Sequence, residues 1–91
     1  MRHTSIHVRA IWDAEAKVWV ATTEDIAGLA TEADTIEELT AKVLAMLPEL
    51  IAENGLGNLD PGVADIPVHI MSEQLGRIPN PSLFEARYST R

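Results

Sequence analysis

Seven carboxylates lie in short polar segments of the chain. Metal-assisted hydrolysis would require their side chains to converge in space. They are Asp13, Glu15, Glu24, Asp25, Asp34, Glu37 and Glu38. Two-metal phosphoryl chemistry requires several carboxylates around two cations. These segments are also where carboxylates favour turns and helix starts for reasons of local structure alone. We therefore expect these residues to be structural, with no metal site and no catalysis.

The other residue types that could perform chemistry form no recognisable set. His3 and His7 lie four apart, which in a strand is two pleats apart, and His69 is distant in sequence. None has acidic neighbours in a metal-ligand pattern, so we interpret all three as exposed strand histidines. The chain has no cysteine, no nucleophile-elbow pattern and no glycine-rich phosphate loop. We expect a protein that is not an enzyme and needs no cofactor.

Charge is distributed unevenly along the chain. Residues 1–71 hold four basic side chains against twelve carboxylates, a net charge of −8, whereas residues 72–91 carry +1. An acidic body repels phosphate backbones, so we expect no direct nucleic-acid binding by residues 1–71. The same charge would steer a basic partner toward the protein, although solubility alone is the other explanation for it.

The composition is typical of a small soluble domain, with 46% apolar residues in 91. No apolar run is long enough to cross a bilayer, and the first residues show no signal-peptide pattern. Together with the absence of cysteine, this predicts a cytoplasmic protein without membrane contact. A domain of this size buries a modest share of its surface, so we expect a homodimer.

The elements that would position these residues begin with three strands. Apolar and polar residues alternate over 4–12, a polar loop follows at 13–17, and 18–22 is rich in β-formers. This pattern predicts an antiparallel hairpin. A turn containing Gly28 leads to a short third strand at 29–33, which completes a β-meander.

A helix is predicted from Thr35 onward. Thr35 and Glu38 match a capping box, and Asn54-Gly55 supplies a stop. Between them apolar residues recur at spacings of three and four on one face: Ile36, Leu39, Val43, Met46, Leu47, Leu50 and Ile51. Pro48 interrupts this pattern, but because the period continues beyond it we expect a kink rather than an end.

The remaining chain predicts a loop at 55–65 and a fourth strand at 66–71, with Pro67 favouring an edge or a strand start. The order β-β-β-α-β indicates an α+β fold, a mostly antiparallel sheet with one helix on one face. Residues 1–71 form this domain. Residues 72–91, which contain Pro79 and Pro81, are expected to be an extended or partly ordered tail.

Two apolar groups are candidates for contacts. Trp12 and Trp19 flank the hairpin loop and could pack across it, or one ring could lie at an interface. Leu83, Phe84 and Tyr88 give the otherwise polar tail an apolar cluster. Such a cluster docks either on the body of its own chain or on a partner, and both alternatives remain open.

Residues 25–39, DIAGLATEADTIEEL, resemble the signature of HicB-like antitoxins. In that family an Asp-apolar-Pro-Gly turn precedes a threonine-acidic strand and a helix that starts Thr-x-x-Glu. The hairpin at 12–22 and the helix end at 43–55 are similar to a short branch of the family without assigned function, so the resemblance covers residues 4–71. Ala27 departs from the usual proline. The tail also departs, because it is too short for the paired DNA-binding helices that many members carry.

The resemblance implies a partial ribonuclease-H-like fold and neutralisation of a HicA-type toxin, a small basic RNA-cleaving protein. It also implies that an acidic antitoxin covers the RNA-binding surface of the toxin as an RNA mimic. Without a DNA-binding module, autoregulation by operator binding is not expected.

We therefore expect a non-catalytic protein-binding module, the antitoxin of a type II toxin–antitoxin pair. The residues expected at the contact are Glu24, Asp25, Glu32, Asp34, Glu37 and Glu38, with Leu83, Phe84 and Tyr88 from the tail. The alternative is a standalone structural or small-ligand-binding domain without a toxin.

Overall fold

The computed structural model describes residues 4–84, which form a four-stranded sheet and one long helix. In chain order the elements are β1 (Ile6–Asp13), β2 (Val18–Thr22), β3 (Ala30–Ala33), α1 (Ile36–Asn54) and β4 (Val68–Glu73), followed by a 3₁₀ turn (Pro81–Phe84). The predicted α+β class and the order β-β-β-α-β are confirmed.

The sheet has the strand order β3-β2-β1-β4. The first three strands pair antiparallel, as a meander does, with Arg9 opposite Thr22 and Trp19 opposite Ala33. β4 pairs with the other side of β1 and runs parallel to it, with Ile6 beside Val68. β1 is therefore an inner strand, and β3 and β4 are the two edges.

Strand alternation separates the sheet into a core face and an open face. On β1, Ile6, Val8 and Ala10 are buried against the helix side, while the residues between them are exposed. The helix contributes Leu39, Val43 and Leu47, which are buried at the spacing its amphipathic pattern predicts. α1 lies mainly across β2 and β3, so the β4 side of the sheet is less covered.

Local signals define the ends of α1. The Thr35 hydroxyl accepts a hydrogen bond from the Glu38 amide at 3.1 Å, and the Gly55 amide donates to the Ile51 carbonyl at 2.8 Å. The helix continues through Pro48, as the uninterrupted apolar period indicates. Within residues 4–84, no helix has both the length and the apolar character that a membrane crossing requires.

β4 begins and ends two residues later than predicted. Pro67 has no amide to donate, but its carbonyl accepts from the Ile6 amide at 2.9 Å and so leads the chain into the pairing with β1. The pairing then continues to Glu73, two residues beyond the predicted strand end at residue 71. In the preceding loop, Leu59 is buried and joins the core, which the loop's polar composition did not predict.

From Gln74 onward the chain leaves the sheet. Residues 74–80 have no regular structure and are exposed, and Pro81 to Phe84 form the 3₁₀ turn. Leu75, Ile78 and Leu83 are each at least 75% exposed. The Phe84 side chain and Tyr88, two of the predicted contact residues, lie outside the described residues.

Candidate functional site

Mostly polar side chains from two strands that are distant in sequence lie together on the open face of the sheet. β1 presents His7 and Arg9 there, and β4 presents His69, Met71 and Glu73. They share this face because neighbouring strands in register place opposed residues on the same side.

His7 and His69 stack at the β1–β4 border. Their ring centroids are 4.9 Å apart and the rings are inclined by only 15°. Both are exposed strand histidines, as predicted, and His3, the third histidine, lies outside the described residues. Their pairing was missed, because it depends on the register of a parallel pair that local sequence patterns do not encode.

A hydrogen-bonded clamp holds the β2–β3 loop against the start of β1. The His7 amide donates to Asp25 Oδ2 at 2.8 Å, and the Thr23 hydroxyl donates to the His7 carbonyl at 2.6 Å. The Asp25 amide donates to Thr23 Oγ1 at 3.1 Å, and His7 Nδ1 lies 3.8 Å from Asp25 Oδ2. Asp25 was predicted both to have a structural role in its turn and to contact a partner. The structural role is present, since its carboxylate accepts from the His7 amide. The partner contact stays a prediction, and 24% of the side chain is exposed.

A shallow depression of about 510 Å³ lies beside this clamp. Its lining consists of His7, Arg9, Thr22, Thr23, Glu24, Asp25 and Met71. Arg9 pairs with Glu73 across the strands at 3.4 Å, but both side chains are more than half exposed, so the pair contributes little to stability. Within residues 4–84, no three side chains are arranged to ligate a metal ion. The depression therefore presents hydrogen-bond donors and acceptors, among them the positively charged Arg9 and the negatively charged Glu24 and Asp25.

The structure divides the predicted acidic contact residues between two ends of the sheet. Glu24 and Asp25 lie at the end where β1 starts. Glu32, Asp34, Glu37 and Glu38 lie toward the opposite end, where β3 joins α1. Trp19 is opposite both Trp12 and Ala33, so the β1–β2 hairpin lies at this opposite end as well.

The second group is therefore larger than predicted, because the hairpin adds Asp13 and Glu15. We call this surface the acidic end; it comprises Asp13, Glu15, Glu32, Asp34, Glu37 and Glu38. All six residues are exposed, and none of them forms an ion pair within residues 4–84. The nearby cations are Lys17 in the hairpin and Lys42, whose Nζ donates to the Glu32 carbonyl at 2.7 Å.

Some members of the acidic end also have the structural roles predicted for them. Asp13 Oδ1 accepts from the amides of Glu15 and Ala16 in the hairpin turn. Glu37 and Glu38 lie in the first turn of α1, where negative charge is favourable. These roles leave carboxylate oxygens facing solvent, so they do not conflict with a contact.

The two tryptophans pack across the hairpin, as predicted. The Trp12 and Trp19 ring centroids are 5.5 Å apart at an angle of 60°, and both residues are half-buried. Their exposed parts place aromatic surface next to the acidic end.

Comparison with known proteins gives a family but no activity. The model of the DUF1902 family, described as a domain of unknown function, matches residues 5–78. The crystal structure of hypothetical protein TTHA1013 from the extremely thermophilic bacterium Thermus thermophilus is 45% identical in sequence. The alignment covers 84% of this chain and 99% of that one, with a TM-score of 0.59. No curated protein matches the chain.

Proposed function

The chain belongs to the DUF1902 family, and we propose that this member is a non-catalytic module that binds a small basic protein through its acidic end. The observation that carries the proposal is that six exposed carboxylates, from the hairpin, β3 and the start of α1, lie toward the same end of the sheet. Such a surface accelerates encounter with a positively charged partner and favours it over acidic ones.

The partner we propose is a HicA-type ribonuclease toxin, which would make this chain the antitoxin of a type II pair. The support is the HicB-like signature at residues 25–39 together with the net −8 of residues 1–71. Clustered carboxylates can occupy a surface that otherwise binds RNA phosphates, so the module would inhibit by occlusion. The proposal places the protein in the cytoplasm, where such a toxin meets RNA.

The first test is recovery of the tagged protein from its native cell lysate, followed by mass spectrometry. We expect a stoichiometric small basic protein that is released at high salt, since exposed charge pairs are screened. The recovered partner should cleave RNA, and adding this chain should suppress the cleavage. Recovery of the chain alone, or a partner whose RNA cleavage this chain does not suppress, would contradict the toxin proposal.

The second test locates the contact. Glu37→Lys combined with Glu38→Lys should weaken binding of that partner and reduce its salt dependence. Glu49→Lys combined with Glu53→Lys is the matched control, because these two exposed glutamates lie on the same helix away from the acidic end. A thermal unfolding curve for each variant separates lost binding from lost folding, since each charge reversed in the first helical turn costs about 0.3–1 kcal/mol by itself. Equal affinity of both variants would refute this placement.

A small-ligand-binding domain is the second candidate, and the depression on the open face favours it. Its lining combines Arg9, His7 and two threonine hydroxyls beside apolar Met71. A thermal-shift screen of small anionic and polar metabolites is the test. A hit that is lost in Arg9→Ala but retained in Glu37→Lys would support this function over protein binding at the acidic end.

A further inference from the structure

An apolar groove lies between α1 and the β4 edge of the sheet. Leu44, Pro48 and Ile51 form its helical side, and Ile66 and Val68 form its sheet side. The groove measures about 420 Å³ and exposes mostly apolar surface, and Leu44 is 50% exposed. It exists because α1 lies mainly across β2 and β3 and leaves the β4 side less covered.

The tail carries apolar side chains that no other part of residues 4–84 covers. Leu75 and Ile78 are 75% and 82% exposed. Among the described residues, the tail's hydrogen bonds stay within residues 80–83, and none reaches the sheet or the helix. Leaving such large aliphatic side chains in water forgoes about 1.5–3 kcal/mol each, so an exposed apolar segment of this kind indicates a contact surface.

The geometry directs this tail away from the groove of its own chain. The groove lies beside the start of β4, at Val68, whereas the tail leaves from the other end of that strand, at Glu73. Pro79 and Pro81 hold Ile78 and Asn80 in extended backbone, which opposes a reversal toward the body. The Cα radius of gyration is 19.3 Å, against about 12 Å expected for a compact chain of this length.

Charge also favours the pairing of this tail with this groove. Arg77 is the one charged residue in 74–84. One exposed carboxylate, that of Asp65, directly precedes Ile66 on the sheet side of the groove. A cation carried into the groove by the tail would therefore meet negative charge.

We propose that two copies of this chain form a symmetric dimer by exchanging tails, with Leu75 and Ile78 of each copy bound in the groove of the other. Because each copy binds the tail of the other, a two-fold axis relates the two contacts, and the arrangement is isologous and closes at two copies. The inference does not rest on the proposed function, since it uses neither the toxin nor any residue of the acidic end.

Sedimentation of the full chain tests the dimer. We expect the wild type to sediment at twice its 9.9 kDa mass. Ile78→Ser and Leu44→Ser should each raise the dimer dissociation constant at least about tenfold, because each removes one buried aliphatic side chain from both contacts of the dimer. Met71→Ser is the matched control: Met71 is also 50% exposed but lies on the open face, so its dimer should be unchanged. A monomeric wild type, or a dimer that both groove and tail variants preserve, would overturn the proposal.

Cysteine crosslinking separates exchange between copies from docking within one copy. The chain has no cysteine of its own, so only introduced thiols react. Under mild oxidation, a mixture of Ile78→Cys and Leu44→Cys proteins should form a mixed disulfide at twice the chain mass, whereas Ile78→Cys with Met71→Cys should not. If the mixture fails to crosslink while the double variant L44C/I78C closes at monomer mass, the tail binds its own groove and the proposal is wrong.

Discussion

The carboxylate of Asp25 accepts a hydrogen bond from the backbone amide of His7 at 2.8 Å, which ties the β2–β3 loop to the inner strand of the sheet. His7 is one of the two stacked histidines, so the same loop also fixes the position of the open-face depression. Asp25 therefore has a structural role in the fold, independent of any contact with a partner.

Asp25→Ala should destabilise the fold by about 1–2 kcal/mol, because it removes the charged acceptor of the hydrogen bond from the His7 backbone amide. Glu24→Ala is the matched control. Glu24 is exposed and makes no hydrogen bond within the described residues, so its removal should change the unfolding free energy by less than about 0.5 kcal/mol. Urea denaturation of both variants measures the difference, and equal midpoints would contradict the role assigned to Asp25.

Gly28→Ala should be destabilising by about 1–3 kcal/mol. Gly28 has φ +90°, a backbone conformation that costs an L-residue strain, and an added Cβ would lie 3.1 Å from Leu50 Cδ2. Gly76→Ala provides the comparison, since an added Cβ there meets nothing within 4 Å. Thermal unfolding should show a lower Tm for Gly28→Ala and an unchanged Tm for Gly76→Ala. A wild-type Tm for Gly28→Ala would show that the turn tolerates a side chain.

Thr35→Ala should cost about 1 kcal/mol of unfolding free energy, because it removes the hydroxyl that caps the Glu38 amide. Thr35→Ser keeps the acceptor and should recover most of that loss. Chemical denaturation of the two variants is the measurement. If the serine variant is as unstable as the alanine variant, the methyl group of Thr35 and not its hydroxyl is what stabilises this end of α1.

Lys17→Gly should stabilise the protein by up to about 1 kcal/mol. Lys17 has φ +58° at the end of the hairpin turn, where a residue with a Cβ is disfavoured and glycine is not. The gain is partial, since glycine also raises the entropy of the unfolded chain. A decrease in the urea midpoint would mean that the Lys17 side chain makes a compensating contact.

The features predicted correctly from the sequence are those encoded by neighbouring residues. The hairpin follows from alternation around a polar loop, and the start and end of α1 follow from Thr35, Glu38 and Gly55. Each depends on residues within a few positions of one another, where hydrogen-bond geometry and side-chain period act directly.

The features that were missed depend on how distant elements meet. The contact of His7 with His69, the depression beside it and the groove at Leu44 all require β4 to pair in parallel with β1. No local period specifies that choice or its register. A structural role in the turn was predicted for Asp25, but not the group it binds, because the amide that donates to its carboxylate lies 18 residues earlier in the chain.

The parallel pairing of β1 with β4 also has a consequence for the order in which the chain folds. The meander and α1 bring together segments close in sequence, whereas Val68 must find Ile6 across nearly the whole domain. Closing that long loop costs more chain entropy, so β4 is expected to be added to the sheet last. By the same reasoning its amide hydrogens should exchange with solvent sooner than those of β2. β4 contributes to the stacked histidines, to the depression and to the groove. Local opening of this one strand would therefore disrupt all three.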